Sequence, residues 1–501
     1  MARQFNTAVT CDPKRHYMVD TTNKMKVFER LINNGNYFTI NRARQFGKST
    51  SLNWIYNNLS DRYIVVRIDF ANLNETDYKD VKTFDNAFCR LFNVNSSDIK
   101  ISKRDDLRDF CKKSSKPVVL LVDNADRFIN PRLVEFLCYL RAGYQAREMF
   151  MDNIFFHSAI IASQKNITNL PAEIEECKYN SPWNVAADYK LDMTFNPQEI
   201  STMLTDYENE NHIGFDINEI SQEIYKYTSG YPVLVSGVCK EIDENLDRDW
   251  TKDGVLQAVN TIVKDNSSML FKDITKNIEN NPDLKKLLRA ISMENFKISY
   301  YADIFPVELG RLFSLLKSDK NSCAVIHNLI FQQRINNYFI AENQFGKIDS
   351  NAGPSVYTDK QGDLNLPLII NRFKVLMSKK TDKAEFLERE GRFMFICFLK
   401  PIINGTGFYY SEPENDDGSR MDLVITYNRK EYVIELKIWH GTEYELSGRD
   451  QLSEYLETRN LNEGYLVTFS FLKEMTVQEK PEWIDHNGKK IYEAVIDCGK
   501  E

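Results

Sequence analysis

YFTINRARQFGKST, Tyr37 to Thr50, reads as a short apolar strand running into a polar loop. SLNWIYNNL, which follows, has helical spacing, with Leu52, Ile55, Tyr56 and Leu59 recurring along one face. Strand, loop, Gly47-Lys48-Ser49 and helix is the order of a phosphate-binding loop, or P-loop. There the backbone amides and helix N-terminus cradle phosphates, the lysine reaches the β and γ oxygens, and the next hydroxyl ligates Mg²⁺. Gly47, Lys48, Ser49 and Thr50 are therefore candidate nucleotide-binding residues. Arg42 stands where the GxxxxGK[ST] pattern has its first Gly. The pattern alone is thus weak, and an ordinary helix start would explain it equally well.

PVVLLVD, Pro117 to Asp123, adds a buried strand that ends in an acid, and Asp123 is placed to hold Mg²⁺ through water. Its neighbour is Asn124, where a hydrolytic site commonly has Glu; an amide cannot act as a general base. SAIIAS, Ser158 to Ser163, continues the alternation of strands and helices that belongs to a doubly wound parallel sheet.

A second stretch carries different chemistry. In RMDLVITYNRKEYVIELK, Arg420 to Lys437, the runs MDLVITY and EYVIEL have strand composition, and Asn428, Arg429 and Lys430 suit a hairpin that sets Asp422 beside Glu435. Side chains alternate, so Val433, Glu435 and Lys437 share one face while Ile434, Leu436 and Ile438 share the other, and one face is expected to pack while the other reaches a substrate. Two carboxylates are hard ligands for Mg²⁺ or Mn²⁺, and Lys437 beside them would steady a hydroxide or a phosphorane oxyanion. A strand with a solvated face accounts for the same spacing. GRDQLSEYLETR then reads as a helix with Gln451 and Tyr455 at i and i+4.

At these residues the chain resembles the PD-(D/E)XK nuclease superfamily, over roughly Leu366 to Glu501. Asp422 matches the D, Glu435-Leu436-Lys437 the (D/E)XK, and Gln451 to Tyr455 the QxxxY helix of its RecB-type branch. Met421 replaces the usual Pro. The resemblance implies an acid from the preceding helix, for which Glu388 is the candidate, with Glu390 beside it. KPIINGTGFYY, IELKIWHG and QLSEYL look like the nuclease-like half of a bacterial family that joins this fold to an AAA-ATPase-like domain. HYMVD, YFTINRARQFGKST, KYNSPWNVAAD, SGYPVLVSGVCK and Trp250-Thr251 look like its AAA-ATPase-like half. The resemblance implies ATP as ligand, with Pro232 of Gly230-Tyr231-Pro232 against the adenine. The family's usual Pro at Ala43, Glu at Asn124 and polar Asp near Asn166 are missing, which bears on hydrolysis more than on binding.

At 501 residues the chain exceeds one hydrophobic core. No apolar run approaches the ~20 residues of a membrane span, and Met-Ala-Arg-Gln-Phe lacks the core of a signal peptide; the expectation is a cytoplasmic protein without membrane contact. Nine cysteines without a CxxC pair are expected to be reduced and structural. The net charge of −8 argues against non-specific coating of nucleic acid, so contact is expected to be local, with Lys400, Arg420, Lys430, Lys437 and Arg449 as a candidate patch.

PQEISTMLTDY and INEISQEIYKYTSG have helical spacing, with Asn196 and Asp216 as caps, and the chain reads as helical to about Glu342. The expected organisation is α/β and multidomain: a P-loop parallel-sheet NTPase core over 1–190, a helical lid and spacer over 191–345, a linker over 346–367, and a C-terminal restriction-endonuclease-like α/β domain over 368–501. EPENDD, Glu412 to Asp417, reads as a solvated loop, and His440 as a turn residue. The expected function is a metal-dependent nuclease acting on DNA, with ATP binding as a slow switch. The alternative is a catalytically silent, nucleotide-gated scaffold for a protein or DNA partner.

Overall fold

The structure is a computed structural model that describes residues 3–8, 10–96, 100–127, 131–149, 154–164, 167, 182–187, 191–265, 267–294, 296–342, 357–378, 388–403, 407–410, 423–438, 442–470 and 481–497. Chain contacts divide it into two units, Met1–Trp250 with Leu312–Ser314, and Thr251–Arg311 with Leu315–Glu501.

The first unit runs α1 (Thr22–Asn33), β1 (Phe38–Asn41), α2 (Lys48–Leu59), β2 (Ile64–Asp69), α3 (Val81–Asn95), α4 (Asp106–Lys113), β3 (Val118–Asp123), α5 (Pro131–Met149), β4 (Ser158–Ser163), α6 (Pro197–Asn211), α7 (Ile217–Thr228) and α8 (Pro232–Asn245). Its sheet has the order β1-β4-β3-β2, and every pairing is parallel. Each residue of β3 and β4 is buried, as expected where helices cover both faces of a parallel sheet. Leu120 and Val122 face a core of Phe84, Phe88 and Phe92 from α3, Phe110 from α4 and Phe136 and Leu140 from α5. On α1, Phe28 stacks on Phe38 of β1, with centroids 5.6 Å apart.

The α6–α8 helices end where their sequences stop them. Asn196 and Glu199 form a reciprocal capping box at the start of α6, and Asp216 accepts the Glu219 amide at the start of α7. Gly230, in the left-handed region at φ +69°, turns the chain into α8, with Pro232 in its first turn.

The second unit runs α9 (Lys252–Lys264), α10 (Met269–Glu279), α11 (Pro282–Glu294), α12 (Phe305–Leu312), β5 (Leu316–Ser318), β6 (Ala324–Ile326), α13 (Leu329–Glu342), α14 (Leu366–Ser378), α15 (Glu388–Ile403), β7 (Gly407–Tyr410), β8 (Leu423–Tyr427), β9 (Lys430–Ile438), α16 (Thr442–Thr458), β10 (Glu463–Ser470), β11 (Glu482–His486) and β12 (Lys489–Asp497). The stretch read as wholly helical therefore contains the antiparallel hairpin β5–β6. Of the residues read as a linker, those from 357 onward fold tightly. Thr358 bridges Leu364, whose amide bonds the Tyr432 hydroxyl at 3.1 Å, and Asn428 Nδ2 donates to Asp363 Oδ1 at 2.8 Å.

The second sheet has the order β11-β12-β10-β9-β8-β7. β7, β8 and β9 form an antiparallel meander, and α16 carries the chain across to β10, parallel to β9. Asn428 and Arg429 both take positive φ, 48° and 65°, in the two-residue turn between β8 and β9, the type I′ geometry that matches strand twist. Phe373 of α14 packs against Phe395 of α15 and Phe469 of β10 on one face. On the other face Leu452 and Leu456 of α16 close over Gly464, where any Cβ would lie within 3.1 Å of both.

Among the described residues no helix is long and apolar enough to cross a membrane. The cysteines described, Cys11, Cys89, Cys111, Cys138, Cys239, Cys323 and Cys397, are free thiols.

Candidate functional site

Strand β1, the loop 42–47 and α2 form a P-loop at one end of a parallel sheet whose neighbouring strands end in Asp123 and Ser163. Gly47 precedes the helix at φ +79°, and a Cβ there would meet nothing within 4 Å. The backbone turn requires glycine, while the space above it is open. The first intrahelical bond of α2 runs from Ser51 N to Gly47 O at 2.9 Å, so the amides of 48–50 are not consumed by the helix ladder.

Lys48 is buried, and its Nζ donates to the carbonyls of Arg42 at 2.7 Å and Ala43 at 2.8 Å, inside the loop. Burial brings its pKa down to about 8, against the opposing pull of Asp126 and Asp123. The Thr50 hydroxyl accepts the Cys11 amide at 3.3 Å, and Ser49 lies between Lys48 and Thr50 in the first turn of α2. From the helices that follow the sheet, Tyr231 donates to Arg44 O at 3.2 Å and sets its ring edge-on to Phe46, centroids 4.8 Å apart. Pro232 is the next residue along.

Asp123 closes β3 and is almost wholly buried; its Oδ2 accepts Arg67 Nη2 at 3.1 Å and its Oδ1 accepts the Asn124 amide at 3.0 Å. A carboxylate retains acceptor capacity beyond these two bonds. Asn124 Nδ2 donates to Asp69 Oδ1 at 2.9 Å, and Asp126 Oδ2 accepts the Gln164 amide at 2.9 Å. Sequence reading missed Asp69, Arg67 and Asp126. The available signal was IVVRID, Ile64 to Asp69, a second apolar strand ending in an acid like Asp123. Backbone donors at a helix start, an ammonium within the loop, a hydroxyl and the buried acid Asp123 form a set that fits a nucleoside phosphate with Mg²⁺. Asn166 lies outside the described residues.

In the second unit, Lys437 Nζ sits 2.8 Å from Glu435 Oε1 and donates to Gln451 Oε1 at 3.0 Å. These three predicted residues therefore meet, because α16 crosses the face of β9 on which Glu435 and Lys437 alternate. Tyr455, one turn beyond Gln451, is buried under the Arg459 guanidinium, 5.2 Å from its ring centre. Asp422 lies outside the described residues, as do Arg420, Met421, the acid run 412–417 and His440. Leu423, the chain neighbour of Asp422, pairs with Ile434, the neighbour of Glu435. Glu388 opens α15, and its side chain, like that of Glu390, is outside the description.

On the face of β9 expected to reach a substrate, Lys437 is half-buried and Gln451 beside it is exposed. Glu435 is 2% exposed, because α16 packs over that face. Among the described residues, several of the basic side chains expected to form a patch are paired or withdrawn. Lys430 pairs with Asp363, and Arg449 binds both oxygens of Glu493 at 2.5 and 2.8 Å. Lys400 is largely withdrawn from solvent, with its pKa brought down to about 8, first by burial and then by Arg334. Among the described residues no group of three His, Cys, Asp or Glu side chains is placed to hold a metal.

No protein-family model matches the chain, and no curated protein matches it. Among solved structures, the chain is similar to the Walker-type ATPase of Pyrococcus abyssi, at 14% identity over 66% of this chain and 99% of that one, with a TM-score of 0.47. It is also similar to CDC6P from Pyrobaculum aerophilum, at 12% identity over 67% and 97% of the chains, with a TM-score of 0.34. A third is the ORC2 protein of Aeropyrum pernix in its ADPNP and ADP complexes, at 13% identity over 64% and 93%, with a TM-score of 0.34.

Proposed function

We propose that the first unit binds a nucleoside triphosphate, ATP, and that the second unit is a metal-dependent nuclease acting on DNA, with nucleotide binding as a slow switch. The finer division into core, lid, spacer, linker and nuclease domain is part of the same proposal. The observation that carries the nucleotide reading is the Lys48 ammonium held inside the loop by the carbonyls of Arg42 and Ala43, at the start of α2. Phosphate oxygens entering there would replace neutral carbonyl partners with charged ones, which make the stronger hydrogen bonds. Ser49 and Asp123 would hold Mg²⁺, which neutralises phosphate charge when bound.

The nuclease reading is supported by the meeting of Glu435, Lys437 and Gln451 on a strand meander followed by a helix and a parallel strand. Asp422 and Glu435 would hold Mg²⁺ or Mn²⁺, which supplies a Lewis acid and an activated water. Lys437 orients the Glu435 carboxylate and Gln451 fixes Lys437. Tyr455 and Glu388 complete the proposed set.

Burial of Glu435 and the pairing of Lys430 and Arg449 favour a second reading, a silent scaffold for a protein or DNA partner. Linear, supercoiled and single-stranded DNA incubated with Mn²⁺, with and without ATP, separates the two. Cleavage by the wild type is expected to fall by about two orders of magnitude or more in Glu435→Gln, which keeps the volume of the side chain. Wild-type protein that leaves all three DNAs intact and shows no Mn²⁺ binding would establish the scaffold reading.

A further inference from the structure

Asn124 stands beside Asp123 with an amide that cannot act as a base, yet its backbone is fixed by several hydrogen bonds and its side chain is held by Asp69. It follows β3 directly, at φ +53°, in the left-handed region that Asn tolerates better than most residues. Its amide donates to Asp123 Oδ1 at 3.0 Å, and its carbonyl accepts the Arg127 amide at 3.1 Å. Next in the chain, the Ala125 amide bonds Ala162 O of β4 at 3.2 Å. The backbone of Asn124 is thereby fixed beside Asp123.

The side chain is fixed from the neighbouring strand. Asp69 ends β2 in register with Asp123, and its Oδ1 accepts both Asn124 Nδ2 at 2.9 Å and the Ala71 amide at 2.8 Å. Arg127 reinforces this contact between loops by donating to Ala71 O at 2.6 Å. An ionised carboxylate only accepts hydrogen bonds, so the NH₂ end of the Asn124 amide must face Asp69. Asn124 Oδ1 is turned away from Asp69, as an acceptor of known direction.

The geometry points to Asn124 as the residue that orients the attacking water in a slow hydrolysis of nucleoside triphosphate, with Asp69 as the positioning residue that fixes its amide. The inference rests on the nucleotide-binding reading of the P-loop. An acceptor oxygen aligns one O–H of the water without removing its proton, as amides do in other phosphoryl-transfer sites. In the step, the water oxygen bonds to Pγ and the bond between Pγ and the β,γ-bridging oxygen breaks, leaving its electron pair on the nucleoside diphosphate. The water protons leave on the phosphate, so that ATP⁴⁻ and H₂O give ADP³⁻ and H₂PO₄⁻. Without a general base, whose contribution is typically about 10²- to 10⁴-fold, the turnover is slow.

The test measures phosphate release with ATP and Mg²⁺, and in parallel the equilibrium binding of a non-hydrolysable ATP analogue. Asn124→Ala is expected to lower turnover roughly tenfold or more, with the analogue Kd within about twofold of the wild type. Asp69→Asn lets the amide turn either way, so turnover falls with Kd again unchanged. The exchanged pair, Asp69→Asn with Asn124→Asp, sets a carboxylate at 124 and raises turnover above the wild type. The inference is overturned if wild-type protein binds the analogue and releases no phosphate, or if Asn124→Ala or Asp69→Asn turns over like the wild type. Absence of analogue binding by the wild type would instead remove the nucleotide reading beneath it.

Discussion

Replacing Gly230 with Ala is expected to lower the melting temperature of the first unit by roughly 6–12 °C. The residue sits at φ +69°, and a Cβ there would lie 1.8 Å from Phe195 O, 2.6 Å from its N and 2.7 Å from its carbonyl carbon. Backbone cannot rotate out of the way as a side-chain tip can. Left-handed backbone costs an L-residue about 1–2 kcal/mol. Relieving the collision also breaks the bond from Phe195 N to Gly230 O, now 2.8 Å, at about 1 kcal/mol more. With the displacement of α8 the total reaches about 3 kcal/mol or more. Gly214→Ala is the matched control, since its φ is +88° and nothing lies within 4 Å of the added carbon. That variant carries the conformational cost without the collision. Thermal unfolding of both decides the matter, and equal melting temperatures would contradict the collision argument. Tyr231 follows Gly230 and touches Phe46 and Arg44 O, so Gly230→Ala protein that remains folded is also expected to bind nucleotide less tightly.

The P-loop was legible because its signals are local. A strand, a polar loop and a helix in immediate succession need no knowledge of strand order, and the caps at Asn196 and Asp216 are equally self-contained. The contact between Asp69 and Asn124 was not legible, because it depends on β2 lying beside β3. The hairpin β5–β6 escaped detection for a different reason: strands of three residues are too short to show a period against helices on both sides. In the second unit, alternation along β9 told which residues share a face with Glu435. It could not tell that α16 would cover that face. The fate of the basic residues was hidden by separation along the chain, since Lys430 finds Asp363 at a distance of 67 residues and Arg449 finds Glu493 at 44. Charge counted along a sequence thus cannot tell which cations already have an acidic partner.

Lys48→Ala is expected to weaken binding of ATP by about 100-fold or more, because it removes the one ammonium held within the loop, and truncating a buried charged partner costs about 2–5 kcal/mol. Titration calorimetry measures it, and an unchanged Kd would sink the nucleotide reading. The pH dependence provides an independent signature whose sign follows from the lowered pKa. In the folded, ligand-free protein Lys48 loses its proton near pH 8, whereas in the unfolded chain it keeps it to the ordinary lysine value of 10.5. Below pH 8 it is charged in both states, and the cost of burying an ammonium is borne in full. Between pH 8 and 10.5 the unfolded chain binds the extra proton, so this group makes stability rise with pH across that window. Affinity moves the opposite way. Triphosphate favours the charged lysine, so above pH 8 binding draws in a proton and weakens as pH rises. At pH 9, calorimetry in buffers of different ionisation enthalpy is expected to show uptake of up to one proton in the wild type. Lys48→Ala should lose that component while ionisations of the nucleotide itself remain. Equal proton uptake in the two proteins would mean that the phosphates never reach Lys48.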